Sequence, residues 1–177
     1  VKRLDQPSRG PRSAAGLLAY HDAAAARRLS RQALHSARLL GDKQELAWAL
    51  YTVGILGSSA PDSAPESAPD SAGDEAVESA AALAAAQVLF EELNDERGLA
   101  QVLNNIGEQA RLHGDDAQAA RAYGASLALF ERMGDRRAQY SLLYNLAFVA
   151  QHTADHQEAL RLLRRSLALC QELGVPA

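Results

Sequence analysis

Small and apolar residues return along this chain at helical intervals. Gly54, Gly107 and Ala147 hold one recurring position, and Ala26, Ser79, Ala119 and Ala159 hold a second. A third, seven residues after the second, is held by Ala33, Ala86, Ser126 and Ser166. Spacings of four and seven keep residues on one helix face, and small side chains there let two helices approach closely. The pattern predicts helix pairs interlocked through these positions. Each helix should hold roughly 16 to 19 residues and be about 25 to 28 Å long.

Sliding the sequence along itself gives the period. Ser126-Leu127-Ala128-Leu129-Phe130 returns 40 residues later as Ser166-Leu167-Ala168-Leu169-Cys170. Phe90-Glu91-Glu92-Leu93-Asn94-Asp95 returns at the same interval as Phe130-Glu131-Arg132-Met133-Gly134-Asp135. An earlier copy, Leu40-Gly41-Asp42, precedes Leu93-Asn94-Asp95 by 53 residues, so about 13 residues are inserted between them. The insert shows itself as a stutter of Ser-Ala-Pro-acid from Ser59 to Gly73, with no apolar face. We expect residues 58–74 to be a disordered Pro/Ser/Ala/acidic insert, a solvated loop expansion whose closure cost rises slowly with length. Its serines beside proline or acid make a docking or phosphorylation segment the alternative use.

Turn chemistry divides each unit in two. Gly41, Asn94, Gly134 and Gly174 share one register, and Gly and Asn are the residues that enter the left-handed conformation closing a helix. Asp42, Asp95 and Asp135 follow directly, placed to cap the free N–H groups of the next helix. Gly114-Asp115 and Ala154-Asp155 mark the second turn of their units in the same way. About three and a half repeats follow over residues 22–177, preceded at 1–21 by an arm or degenerate half-repeat carrying Lys2, Arg3, Arg9 and Arg12.

Composition agrees with an all-α fold: 47% hydrophobic, 23% charged and only 5% aromatic, with Ala and Leu outnumbering strand formers. A net charge of -4 without a basic stripe argues against direct nucleic-acid binding. Cys170 is the only cysteine, which excludes an intrachain disulfide and a cysteine-built zinc site and suits the cytoplasm. Apolar runs are too short to cross a membrane, and no signal-peptide core is evident. The chain opens on Val1, which suggests a piece of a longer protein.

Catalytic motifs are missing: there is no phosphate loop, nucleophile elbow or dinucleotide fingerprint. Gly124-Ala125-Ser126 falls in mid-helix at a packing position, where a serine is not activated. His152 and His156 are four apart, yet the Ala154-Asp155 turn separates them, so no metal site is expected. Cys170 stands where Phe130 stands one repeat earlier and is expected to be a buried small hydrophobe. No enzyme activity, cofactor or metal is expected.

Taking Gly107 as the eighth residue of a unit, Ile106-Gly107, Ala119, Tyr123 and Ser126 match the tetratricopeptide (TPR) pattern of Leu-Gly, Ala, aromatic, Ala. The next unit answers with Leu146-Ala147, Ala159, Leu163 and Ser166. The chain thus resembles the TPR family over Asp22 to Leu173, in the longer-period form of Pins-type scaffolds, Rap-type peptide receptors and bacterial transcriptional-regulator arrays. The family's early tryptophan and closing proline are absent. The resemblance implies a right-handed superhelical α-solenoid that binds a protein or peptide on its concave face. Carried onto this sequence, that face offers Trp48, Tyr51 and Ile55, then Gln101, Asn104, Glu108 and Arg111, then Ser141, Tyr144, Phe148, Gln151 and His152. It lacks the lysine clamp that holds chaperone tails. A sensor domain of a larger bacterial regulator is the function implied, with a scaffold or self-association domain as the alternative. The last helix is expected to bury Ala159 and Leu163 against its partner and to leave Leu160, Leu167 and Leu169 for a further unit or a homodimer.

Overall fold

A computed structural model describes residues 23–57 and 69–174, and among these the chain is all-helical. Seven helices follow one another: α1 Ala23–Leu40, α2 Lys43–Gly57, α3 Pro69–Glu92, α4 Glu96–Leu112, α5 Asp116–Met133, α6 Arg136–His152 and α7 His156–Glu172. They fall into two compact units, the first ending at Leu89 and the second starting at Phe90. The arm at 1–21 and residues 58–68 of the insert lie outside the described residues. The helix α3 begins at Pro69, within the stretch expected to be an insert. Proline at a first helical position loses no hydrogen bond and has the helical φ already set, so this proline starts a helix instead of preventing one.

The turns obey the sequence closely. Gly41, Gly114, Gly134 and Gly174 have φ of 68°, 77°, 69° and 64°, and the non-glycine members Asn94 and Ala154 have φ of 52° and 60°. At four of the turns one aspartate serves both helices. The N–H of Asp115 donates to Ala110 O at 2.9 Å, closing α4, and that of Asp155 donates to Ala150 O at 2.8 Å, closing α6. Their carboxylates accept from the N–H groups of Gln118 at 2.8 Å and Glu158 at 3.0 Å, opening α5 and α7. Asp95 and Asp135 repeat this at Gly98 and Ala138. The backbone groups that a helix end leaves unpaired are thus satisfied on both sides of a turn only two or three residues long.

In the second unit the helices pack in chain order, α4 on α5, α5 on α6 and α6 on α7. Ser126 Oγ donates to Ala100 O at 2.7 Å while Tyr123 lies against Gly107, so α4 and α5 run antiparallel. A Cβ placed on Gly107 would come 2.7 Å from Tyr123 Cδ1, and this is why the position needs glycine. Ser166 Oγ repeats the serine bond at Tyr140 O, 3.2 Å away, between α6 and α7. The core gathers Tyr123, Leu127, Phe130, Leu142, Leu143 and Leu162 around these contacts.

In the first unit, Gly54 meets Leu83, to which an added Cβ would come within 2.6 Å, and Ser79 Oγ donates to Gly54 O. Ala26 is buried there, but Ala33, expected on the same small-residue face, is exposed. Its counterparts Ser126 and Ser166 bond to the helix that precedes them. The residues preceding α1 lie outside the described set, and the buried stripe of α1 is Ala26, Ser30, Leu34 and Ala37.

Two further expectations concern α7. Leu169 is buried with Leu162 and Cys170, whereas Leu163 is 42% exposed beside Leu160 and Leu167. The assignment of Leu163 to the buried face and Leu169 to the open one is therefore reversed. Residues 160, 163 and 167 share one face at i, i+3 and i+7, and 162 and 169 share another, so the exposed and the buried leucines separate by face.

Candidate functional site

Gln101, Asn104, Glu108 and Arg111 form one face of α4 at intervals of three, four and three residues. Ser141, Tyr144, Phe148 and Gln151 form the same face of α6. The turns fix these faces in space, because α4 and α6 both start at an aspartate cap in the same register. The two faces meet at their ends: the Arg111 guanidinium lies over the Phe148 ring, 5.2 Å from its centroid. A cation over an aromatic face is attracted by the ring's quadrupole. Tyr144 and Phe148 are large side chains left 57% and 47% exposed.

The charge in this face is internally matched. Arg111 donates from Nε to Glu108 Oε2 at 3.1 Å and from Nη2 to Glu108 Oε1. Glu108 Oε2 also accepts from the hydroxyl of Tyr123, 2.6 Å away on α5. The Arg111 hydrogen bond is the main reason the Glu108 carboxyl is held below its ordinary range, outweighing burial, with Tyr123 adding to the effect. Burial first, and then the bond to Glu108, push the Tyr123 phenol well above its usual value. Arg111 is held charged even more firmly than a free guanidinium, chiefly by Glu108. A buried hydroxyl, a carboxylate and a guanidinium therefore form one chain that ends on an exposed ring.

The expected site residues divide as follows. Glu108, Arg111 and Phe148 are in mutual contact, and Tyr144 lies one helical turn before Phe148. The side-chain amides of Gln101, Asn104 and Gln151 have no hydrogen-bond partner among the described residues. His152 is drawn away from this group, its Nδ1 lying 2.6 Å from Asp116 Oδ2 at the start of α5. Trp48 and Tyr51 belong to the first unit, where their rings meet edge to face with centroids 5.6 Å apart. Sequence reasoning missed Asp116 and Tyr123 as partners of site residues. The signal for Tyr123 was present: a hydroxyl-bearing ring stands where Leu83 and Leu163 stand in the neighbouring repeats.

The turn between α6 and α7 does separate His152 from His156, and among the described residues no group of three or more potential metal ligands forms. Ser126 is buried in mid-helix with its hydroxyl spent on Ala100 O, and Cys170 is buried. No described helix is long and apolar enough to cross a membrane. No protein-family model matches the chain, and no curated protein is significantly similar to it.

Proposed function

We propose that this chain is a tetratricopeptide-type helical array that binds a protein or peptide segment on the α4–α6 face, as the sensing part of a larger bacterial regulator. The observation that carries this reading is the pair of exposed aromatics, Tyr144 and Phe148, one of them already engaged by Arg111. Exposed large aromatics cost solubility and serve as anchors when a partner covers them. The unpartnered amides of Gln101, Asn104 and Gln151 beside them can pair with a partner's main chain. Because Glu108 neutralises Arg111, affinity should come from ring burial and amide hydrogen bonds, with weak salt dependence.

The test is capture from cells of the native host by the immobilised chain, followed by calorimetric titration of the captured partner. Tyr144→Ala is expected to weaken binding by about 2 kcal/mol or more, and Asn104→Ala by about 1 to 3 kcal/mol, with unchanged melting. Unchanged affinity in both variants rejects this face as the site. A second reading, a scaffold that self-associates, is favoured by the exposed Leu160, Leu163 and Leu167 on α7. In that case light scattering shows a dimer that Leu160→Glu with Leu167→Glu returns to monomer.

A further inference from the structure

The polar chain behind the α4–α6 face is peculiar to one repeat. Where the middle repeat has Glu108, the repeats before and after it have Ile55 and Phe148. Where it has Tyr123, they have Leu83 and Leu163, and where it has Arg111 they have Ser58 and Gln151. Helix pairs of the same kind are thus built in the adjacent repeats without any of the three groups. Setting a carboxylate at a position otherwise apolar costs desolvation unless partners are supplied with it. Here both are supplied in the same repeat: Tyr123 donates from behind, and Arg111 donates from the front. Three departures from register that satisfy one another, and that end on an exposed ring, are not explained by the packing of α4 on α5.

We propose that Tyr123 is a positioning residue for the face: through Glu108 it fixes the Arg111 guanidinium over Phe148 and presents Nη1, which Glu108 does not occupy, to a hydrogen-bond acceptor of the bound segment. The geometry makes the direction of the effect clear. Tyr123 is fully buried and held against Gly107, so its hydroxyl is a fixed point. Glu108 is half-buried and takes its orientation from that hydroxyl, and Arg111 takes its own from Glu108 and the ring. An arginine side chain left to itself loses much rotamer freedom when a ligand orders it, and ordering it beforehand removes that loss.

The role of the face as a binding site rests on the function proposed above, but the fixing of Arg111 is measurable without a partner. The experiment uses the full chain labelled with nitrogen-15 and reads the Arg111 Nε–H signal, assigned by its loss in Arg111→Lys. We expect a resolved signal that exchanges slowly with water. Tyr123→Phe keeps the ring against Gly107, and it should shift this signal and speed its exchange several-fold while the helix content is unchanged. A merely structural role for Tyr123 would lower the melting temperature and leave the Arg111 signal in place, which would overturn the proposal. Should Tyr123→Phe fold poorly, Glu108→Gln gives the same readout from the half-buried side, and an Arg111 signal as protected as in the parent overturns it equally. Release of Arg111 without any captured partner would reject the binding face and leave the positioning intact. Capture that depends on Tyr144 while Arg111 stays fixed in both variants would do the reverse.

Discussion

Leu127 in α5 is 8% exposed and Tyr123 is fully buried, whereas their counterparts 40 residues later in α7, Leu167 and Leu163, are 49% and 42% exposed. The two hairpins α4–α5 and α6–α7 have matching turns, matching aspartate caps and matching serine bonds. What differs is the neighbour: α6 lies on α5 and shares its core, and no described helix follows α7. Local structure in this molecule is thus written within each repeat, while the fate of a side chain is decided by the next one.

The strongest way to break that comparison is to truncate the same position in both hairpins. Leu127→Ala should cost about 2 to 5 kcal/mol, the transfer of a buried leucine plus the cavity it leaves. Leu167→Ala should cost no more than about 0.5 kcal/mol, as a change at the surface. Urea unfolding of the two variants measures both. Equal costs would mean that the α7 face is covered in solution, and light scattering on the same samples would then show whether a second copy covers it.

The next effect sharpens the contrast inside the hairpins. Gly107→Ala should destabilise by about 1 to 3 kcal/mol, because the new methyl group collides with the fully buried Tyr123 ring. Ala147, the same position one repeat on, faces a helix that carries Leu163 in place of the tyrosine. There Ala147→Gly should cost about 1 to 2 kcal/mol, through helix propensity together with the loss of a buried methyl group. Thermal melting followed by circular dichroism distinguishes the two; a neutral Gly107→Ala would show that the ring can withdraw.

How much of this was legible beforehand follows from the same distinction. The left-handed residues, the aspartate caps and the close approach at Gly54 and Gly107 are local or once-repeated features, and register alone identified them. The helical start at Pro69 is not marked in the sequence, because Pro61, Pro65 and Pro69 stand in the same Ser-Ala-Pro-acid context. Exposure of Ala33 and Leu163 depended on neighbours that register does not describe. For the site, the α4 and α6 faces were legible from spacing, and the meeting of Arg111 with Phe148 accords with them. The bond from Tyr123 to Glu108 joins residues 15 apart on different helices, and the capture of His152 by Asp116 joins residues 36 apart. Neither pairing follows from a period of 40.

Backbone strain at the turns gives a pair of opposite sign and smaller size. Gly114 and Ala154 occupy the same place, with φ of 77° and 60°, and a Cβ at Gly114 would meet nothing within 4 Å. The effect is therefore one of backbone conformation alone. Gly114→Ala should destabilise by about 1 kcal/mol and Ala154→Gly should stabilise by about the same amount, reduced somewhat by the extra freedom of glycine in the unfolded chain. Two shifts of the same sign in urea midpoint would reject the shared geometry of the two turns.

The smallest effect tests whether charge adds anything to the pairing of helices in each hairpin. Glu96 at the start of α4 pairs with Arg132 at the end of α5, and Arg136 at the start of α6 pairs with Glu172 at the end of α7, each at 2.8 Å. The positions are the same and the charges are exchanged, so hairpin geometry holds the pair while its polarity is free. All four side chains are more than half exposed, where such a pair is worth about 0.2 to 1 kcal/mol at most and is screened by salt. Arg132→Glu should therefore lower stability by less than about 1 kcal/mol at low salt, and adding Glu96→Arg should restore it by recreating the arrangement of the second hairpin. Both differences should fade as salt is raised. If the double reversal stays as unstable as the single one, the polarity is fixed by other charges nearby, and the equivalence of the two hairpins fails at its outer edge as it does at the face of α7.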